Sequence, residues 1–143
     1  MSNIKIKCSS IEAKIPRRAT RGSAGYDLYA SEGVTIRPGA VESIHTDWAF
    51  QIPEGYFGML VARSGLGTKG LVMANNVGII DSDYRGEVRV PMRNMTDEEW
   101  NVSMGERVAQ IIFVPYEAFG WELVQELDDT ERGAGGFGST GVK

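Results

Sequence analysis

Two carboxylates, Asp81 and Asp83, stand two residues apart in the stretch Asn75-Asn76-Val77-Gly78-Ile79-Ile80-Asp81-Ser82-Asp83-Tyr84-Arg85-Gly86. On an extended backbone they point to the same side. A pair of close carboxylates is what a general base or a metal site can use. Asp-Ser-Asp-Tyr-Arg-Gly is equally a polar hairpin turn, and the segment alone leaves both open. A second stretch, Arg63-Ser64-Gly65-Leu66-Gly67-Thr68-Lys69-Gly70, lets backbone amides approach an anion, with a hydroxyl and a guanidinium beside them. It lacks the GK[ST] ending of a Walker A loop, and a plain glycine-rich turn fits it as well.

Three further segments carry unusual chemistry for their surroundings. Ala24-Gly25-Tyr26-Asp27-Leu28-Tyr29-Ala30 sets one carboxylate in an apolar, aromatic run, either as a turn or cap residue or as an orienter of metal-bound water. In Gly105-Glu106-Arg107-Val108-Ala109-Gln110-Ile111-Ile112-Phe113, Arg107 and Gln110 enter an apolar strand and need partners there, an internal salt bridge or a ligand. The C-terminal stretch after Leu127 is glycine-rich and cannot form a packed element alone. Composition reads it as a disordered tail, yet Arg132, Phe137, Ser139 and Thr140 are a charge clamp, a stacking ring and two hydroxyls. His45, the only histidine, lies on the polar side of an alternating strand, which discounts a Ser-His-Asp triad. Cys8 reads as packing, and Trp100 and Trp121 as core or interface residues.

The elements that must position these groups are short strands. Ile44 to Ile52 alternates, with Ile44, Trp48, Phe50 and Ile52 on one face and His45, Asp47 and Gln51 on the other. Pro53-Glu54-Gly55 ends it as a turn. Tyr56 to Arg63 follows as a strand in which Phe57, Met59 and Val61 alternate with smaller residues. Glu87 to Met95 puts Val88, Val90 and Met92 inward, and Val108 to Val114 is a buried strand. Ile4 and Ile6 suggest a first strand, and Trp121, Leu123 and Leu127 a last. Asp97-Glu98-Glu99-Trp100 is one helical turn or a loop. No sustained helical stripe is present, so the chain is expected to be all-β, a sandwich or jelly roll. It divides into a β domain over residues 1–127 and a flexible glycine-rich arm over residues 128–143.

Bulk properties exclude several classes. The 143 residues suit one domain, and 18 glycines spread along the chain favour many tight turns. The net charge of -4 argues against duplex nucleic acid as a partner while leaving a nucleotide open. A single cysteine allows no intrachain disulfide. No apolar run approaches a membrane span or a signal peptide, so no membrane partner is expected and the location expected is cytoplasmic, or nuclear in a eukaryote.

Taken together and in order, the five segments resemble the five motifs of the trimeric dUTPase family, from Ala24 to Gly141. The resemblance implies a jelly-roll subunit, a homotrimer, and three active sites each drawing on all three chains. The activity implied is hydrolysis of dUTP to dUMP and pyrophosphate with Mg2+, which keeps uracil out of DNA and supplies dUMP for thymidylate synthesis. It gives Asp81 as the base activating water, and Tyr84 as the ring that packs on deoxyribose and excludes a 2′-hydroxyl. Asn75 and Gly78 belong to the hairpin facing uracil. Arg63, Ser64, Gly65 and Gln110 contact the phosphates; Arg132, Gly138, Ser139 and Thr140 belong to the tail over the γ-phosphate, with Phe137 stacking on the base. Asp27 is implied as a partner of magnesium through water.

Departures from the pattern are small: Ala62 stands where proline is frequent, and Asn76 where an apolar residue is frequent, which leaves open which asparagine faces the base. Two alternatives stand beside this one. A dCTP deaminase of the same fold needs a glutamate base near the pyrimidine, and the stretch from Asn75 to Tyr84 has none. A nucleotide-sensing regulatory module would keep the fold without turnover.

Overall fold

The computed structural model describes residues 3–136. Over them run eleven strands and one helical turn: β1 Lys5–Cys8, β2 Tyr26–Tyr29, β3 Val34–Ile36, β4 Val41–Ile44, β5 Trp48–Gln51, β6 Tyr56–Ala62, α1 Ser64–Gly67, β7 Leu71–Met73, β8 Val77–Ile80, β9 Val90–Asn94, β10 Trp100–Val102 and β11 Arg107–Pro115. The all-β expectation holds. The largest sheet has the order β2-β11-β6-β8, a second is β4-β9-β7, and the pairs β1-β5 and β10-β3 complete the set. Every ladder is antiparallel.

The core is built from the inward faces of these short strands. Leu28, Ile36, Ile44, Leu60, Leu71, Val90, Met92, Val108 and Ile111 are fully buried. Val88, Val90 and Met92 point inward as the alternation predicts. In β6 the buried side is Gly58 and Leu60, whereas Phe57, Met59 and Val61 stay half-exposed. Gly58 is needed there, because a Cβ would stand 2.9 Å from Ile111 Cδ1. The outer residues of β6 pair with Val77 and Ile79 on β8 and with Ile112 and Val114 on β11. The near-continuous apolar run of β11 thus has two destinations: Ile111 goes into the core, and Ile112 and Val114 go to an outer apolar face.

Two expectations are corrected, and one left open is decided. The single strand over Ile44 to Ile52 is two strands, broken where Asp47 takes φ 63. The break turns Thr46 inward, 1% exposed, where its hydroxyl donates to the Val88 carbonyl at 2.6 Å. No last strand forms at Trp121 to Leu127: that stretch is irregular with a bend at Gln125 and Glu126, and Trp121, Leu123 and Leu127 are exposed. Periodicity there registers apolar alternation but not the absence of a neighbouring strand within the same chain. Asp97 to Glu99 is loop, and Trp100 opens β10 with its side chain against the core.

Candidate active site

The predicted site residues fall into two groups at opposite ends of one strand. The first gathers where β2, β11 and the exit of β6 meet. Gln110 stands level with Asp27 on β2 and with Val61 on β6. Asp27 is buried, and Arg63 Nε lies 3.0 Å from one of its carboxylate oxygens while Arg107 Nη1 lies 3.4 Å from the other. A register shift between Arg107 and Ala109 interrupts the ladder beside Arg107, as bulges do when they re-aim a side chain. The partner that Arg107 needs is therefore Asp27 on the adjacent strand.

Gln110 donates from Nε2 to the Ala62 carbonyl at 3.4 Å. Its side chain covers Gly25, where any Cβ would overlap Gln110 Oε1. Gly25 thus leaves the space that the Gln110 side chain fills, which the sequence hides: a glycine in a strand-like run signals close approach but not of what. Arg63 is the extended residue before α1, and Ser64 and Gly65 open that turn at the surface. Their amides are among those that a helical start leaves without an intrahelical acceptor. The group can therefore offer guanidinium, amide and hydroxyl donors to an anion.

The second group lies along β8 and the turn after it. Asn75 and Asn76 connect β7 to β8, which pair in different sheets, so this is a crossover turn, not a hairpin ladder. Asn76 takes φ 59, a left-handed conformation that asparagine tolerates. Asn75 reaches back over Gly78: its Nδ2 would stand 3.5 Å from a Cβ there, and Leu60 Cβ would stand 3.1 Å away. The two asparagines thereby separate into a backbone role for Asn76 and a side-chain role for Asn75.

Asp81 and Asp83 do not share one extended face, because the chain turns: Tyr84 N–H donates to the Asp81 carbonyl at 3.2 Å. Arg85 closes the same turn by donating to the carbonyls of Ser82 at 2.7 Å and Tyr84 at 3.1 Å. Asp81, Ser82, Asp83 and Arg85 line an open cavity of about 790 Å3 together with Lys5, Phe57 and Tyr116. The first group is absent from that lining.

Antiparallel pairing fixes the separation of the groups. Gly58 stands level with Ile80 and Val61 with Val77; continuing that register one residue past its end sets Asp81 beside Phe57, six residues before Arg63, an offset along the strand of about 20 Å at about 3.3 Å per residue. Arg132 is exposed in a turn and makes no ion pair among the described residues. Phe137, Gly138, Ser139 and Thr140 lie outside the described residues.

Just beyond the turn sits a polar hub that sequence reading overlooked. The Glu87 carboxylate accepts from Thr46 N at 3.1 Å, Asp47 N at 2.9 Å and Arg89 Nε at 3.0 Å, with His45 Nδ1 at 3.0 Å. Burial pushes the Glu87 pKa up, but the Asp47 amide, Arg89 and His45 together outweigh it and hold the group below its ordinary value. His45 is thus a structural partner of Glu87, in keeping with its non-catalytic assignment.

Comparison with known proteins shows the family and the fold. A family model described as dUTPase matches residues 11–141. A deoxyuridine 5′-triphosphate nucleotidohydrolase of Hahella chejuensis is 50% identical over 136 residues, covering 92% of this chain and 90% of the relative. One from Desulfitobacterium hafniense is 46% identical, covering 99% of both. Among solved structures, the dUTPase of Staphylococcus bacteriophage 80alpha with dUpNHpp superposes with a TM-score of 0.92 at 32% identity, covering 99% of this chain and 100% of the phage chain. A dUTPase of phage phi11 of S. aureus, described with a structural Mg(II) ion, has a TM-score of 0.82 at 28% identity, covering 87% and 98%. The jelly-roll-like subunit expected from the sequence is thereby borne out.

Proposed function

The chain belongs to the dUTPase family, a family of dUTP diphosphatases, and from that premise we propose how its residues divide the work of hydrolysing dUTP to dUMP and pyrophosphate. Asp81 accepts a proton from water as the water attacks the α-phosphorus. Arg63, Ser64, Gly65 and Gln110 hold the phosphates and stabilise charge on the departing pyrophosphate. Tyr84 packs on deoxyribose and leaves no space for a 2′-hydroxyl. Asn75, folded over Gly78, faces uracil. The tail residues Arg132, Phe137, Gly138, Ser139 and Thr140 close over the γ-phosphate and base.

The observation that carries this reading is the separation of about 20 Å between Asp81 and Arg63 along β6. In-line attack needs the base within about one water of the phosphorus that the phosphate binders hold. That offset supports a site that joins Asp81 of one subunit to the Arg63 group of another. The outer face of β6, β8 and β11 supports such an assembly: Val77 and Ile79 are exposed, beside half-exposed Met59, Val61, Ile112 and Val114. With the exposed Trp121 and Leu123, these surfaces fit a homotrimer.

Magnesium fits the donor set without a protein cage. Among the described residues, no cluster of three His, Cys, Asp or Glu side chains could hold a metal. Mg2+ keeps several waters and takes the rest of its shell from substrate phosphates. Asp27 would meet it through water, with the carboxylate lone pairs left by Arg63 and Arg107. When bound, the ion neutralises charge on the triphosphate.

The stretch from Asn75 to Tyr84 holds no glutamate to serve a deaminase, and Glu87, the nearest in sequence, has its carboxylate occupied by Thr46, Asp47, Arg89 and His45. Pyrophosphate release with dUTP and Mg2+, against dTTP, UTP and dCTP, tests the assignment. Preference for dUTP by orders of magnitude is expected, with Asp81→Asn slower by about 10²–10⁴-fold. Near-parental turnover of that variant rules Asp81 out as the base.

A further inference from the structure

We propose that Gly86 and Glu87 are positioning residues for sugar discrimination: together they fix the Tyr84 ring against which a 2′-hydroxyl would collide. The inference rests on the reading of Tyr84 as the deoxyribose-facing wall and names what makes that wall rigid.

Tyr84 is 45% exposed, so the core does not fix its ring. A wall rejects an extra atom only insofar as it cannot step aside, and a soft pocket discriminates poorly against an added hydroxyl. Two local features supply the missing rigidity. The Tyr84 hydroxyl donates to the Glu87 carbonyl at 3.1 Å, and the ring lies across Gly86. A Cβ on Gly86 would overlap the Tyr84 hydroxyl and stand 2.9 Å from ring atom Cε2. The Gly86 backbone lies outside the left-handed region, so its missing side chain gives space for the ring and not conformational freedom.

The acceptor is itself immobilised. The Glu87 carboxylate is tied to the β4–β5 junction by the amides of Thr46 and Asp47. The next residue, Val88, is buried and donates from its amide to the Trp48 carbonyl at 2.8 Å. A carbonyl held from both sides is a fixed point, and a ring hydrogen-bonded to it at one end and closed into the Asp81 turn at the other has one position. Gly86 and Glu87 need touch no substrate atom to do this.

The test is the ratio of kcat/KM for dUTP over UTP in the assembled enzyme, with thermal unfolding alongside. Gly86→Ala should lower the ratio by about tenfold or more, the scale of one steric contact in substrate discrimination. In a Tyr84→Ala background the same change should have no further effect, because there is no ring left to displace. Tyr84→Phe, which keeps the ring and loses the bond to Glu87, should lower the ratio by about fivefold and supplies the answer should Gly86→Ala not fold. Unchanged ratios in Gly86→Ala and Tyr84→Phe overturn the proposal, as does an equal fall caused by Gly86→Ala with and without the tyrosine ring. A parent enzyme that ignores dUTP would instead sink the functional reading; one that discriminates, with variants that discriminate equally well, sinks only this inference.

Discussion

Subunit mixing gives the most direct test of a site divided between chains. One variant, Asp81→Asn, disables the water-activating half. A second, Ser64→Ala with Gln110→Ala, disables the phosphate-binding half. Loss of a general base costs about 10²–10⁴ in rate. Loss of two hydrogen bonds to charged phosphate, at about 1.5–3 kcal/mol each, costs a comparable factor. Each pure variant should therefore show about 1% of parental activity or less. On the proposed division, which the offset of about 20 Å along β6 between Asp81 and Arg63 supports, a working site takes its two halves from different subunits. In trimers reassembled from equal amounts of both variants, a site works when its base comes from the double variant and its phosphate binders from the Asp81→Asn chain. Every mixed trimer, with two chains of one kind and one of the other, holds one such site, so about one third of its sites should recover. Differently tagged chains refolded together and purified through both tags would isolate mixed trimers, and pyrophosphate release would be measured against each pure variant. Mixed trimers no more active than the pure variants would refute the division, and with it the inference drawn from the strand register.

Three further outcomes follow from particular contacts. Glu87 has a lowered pKa, so its stabilising effect is present above the ordinary carboxyl value of 4.5 and is lost as pH falls through the lower folded-state value. The unfolding free-energy gap between the parent and Glu87→Gln should accordingly be widest near neutrality and close on acidification below 4.5; a gap independent of pH contradicts the charged hub. Gly78→Ala would press a methyl 3.1 Å from Leu60 Cβ and against the Asn75 amide, costing about 1–3 kcal/mol of stability together with a raised KM for dUTP; denaturant unfolding and kinetics with no change in either would count against it. Truncation after Leu127 should leave a folded trimer by light scattering with severely reduced turnover, and unchanged turnover would show that the arm takes no part.

The sequence by itself determined the all-β class, most of the core and the family to which the chain belongs. Period-two alternation survives in any context, which is why Val88, Val90 and Met92 were placed correctly. Ordered motifs marked Asp27, Arg63, Gln110 and Asp81 as candidates without any knowledge of where they lie in space. Tertiary structure alone decided which side of β6 is inward, because alternation specifies two faces but not which one meets a second layer. It alone broke the Ile44–Ile52 run at Asp47, where a buried Thr46 and the Glu87 carboxylate fix a left-handed residue that no periodicity reports. It paired Arg107 with Asp27, from the far end of the chain, and tied His45 to Glu87. It also turned Trp121 and Leu123 outward, although their pattern reads as a strand, since a strand needs a neighbour and hydrogen-bond pairing is non-local. The sequence thus names the groups, but their distances depend on sheet register: one strand of pairing sets Asp81 about 20 Å along β6 from Arg63.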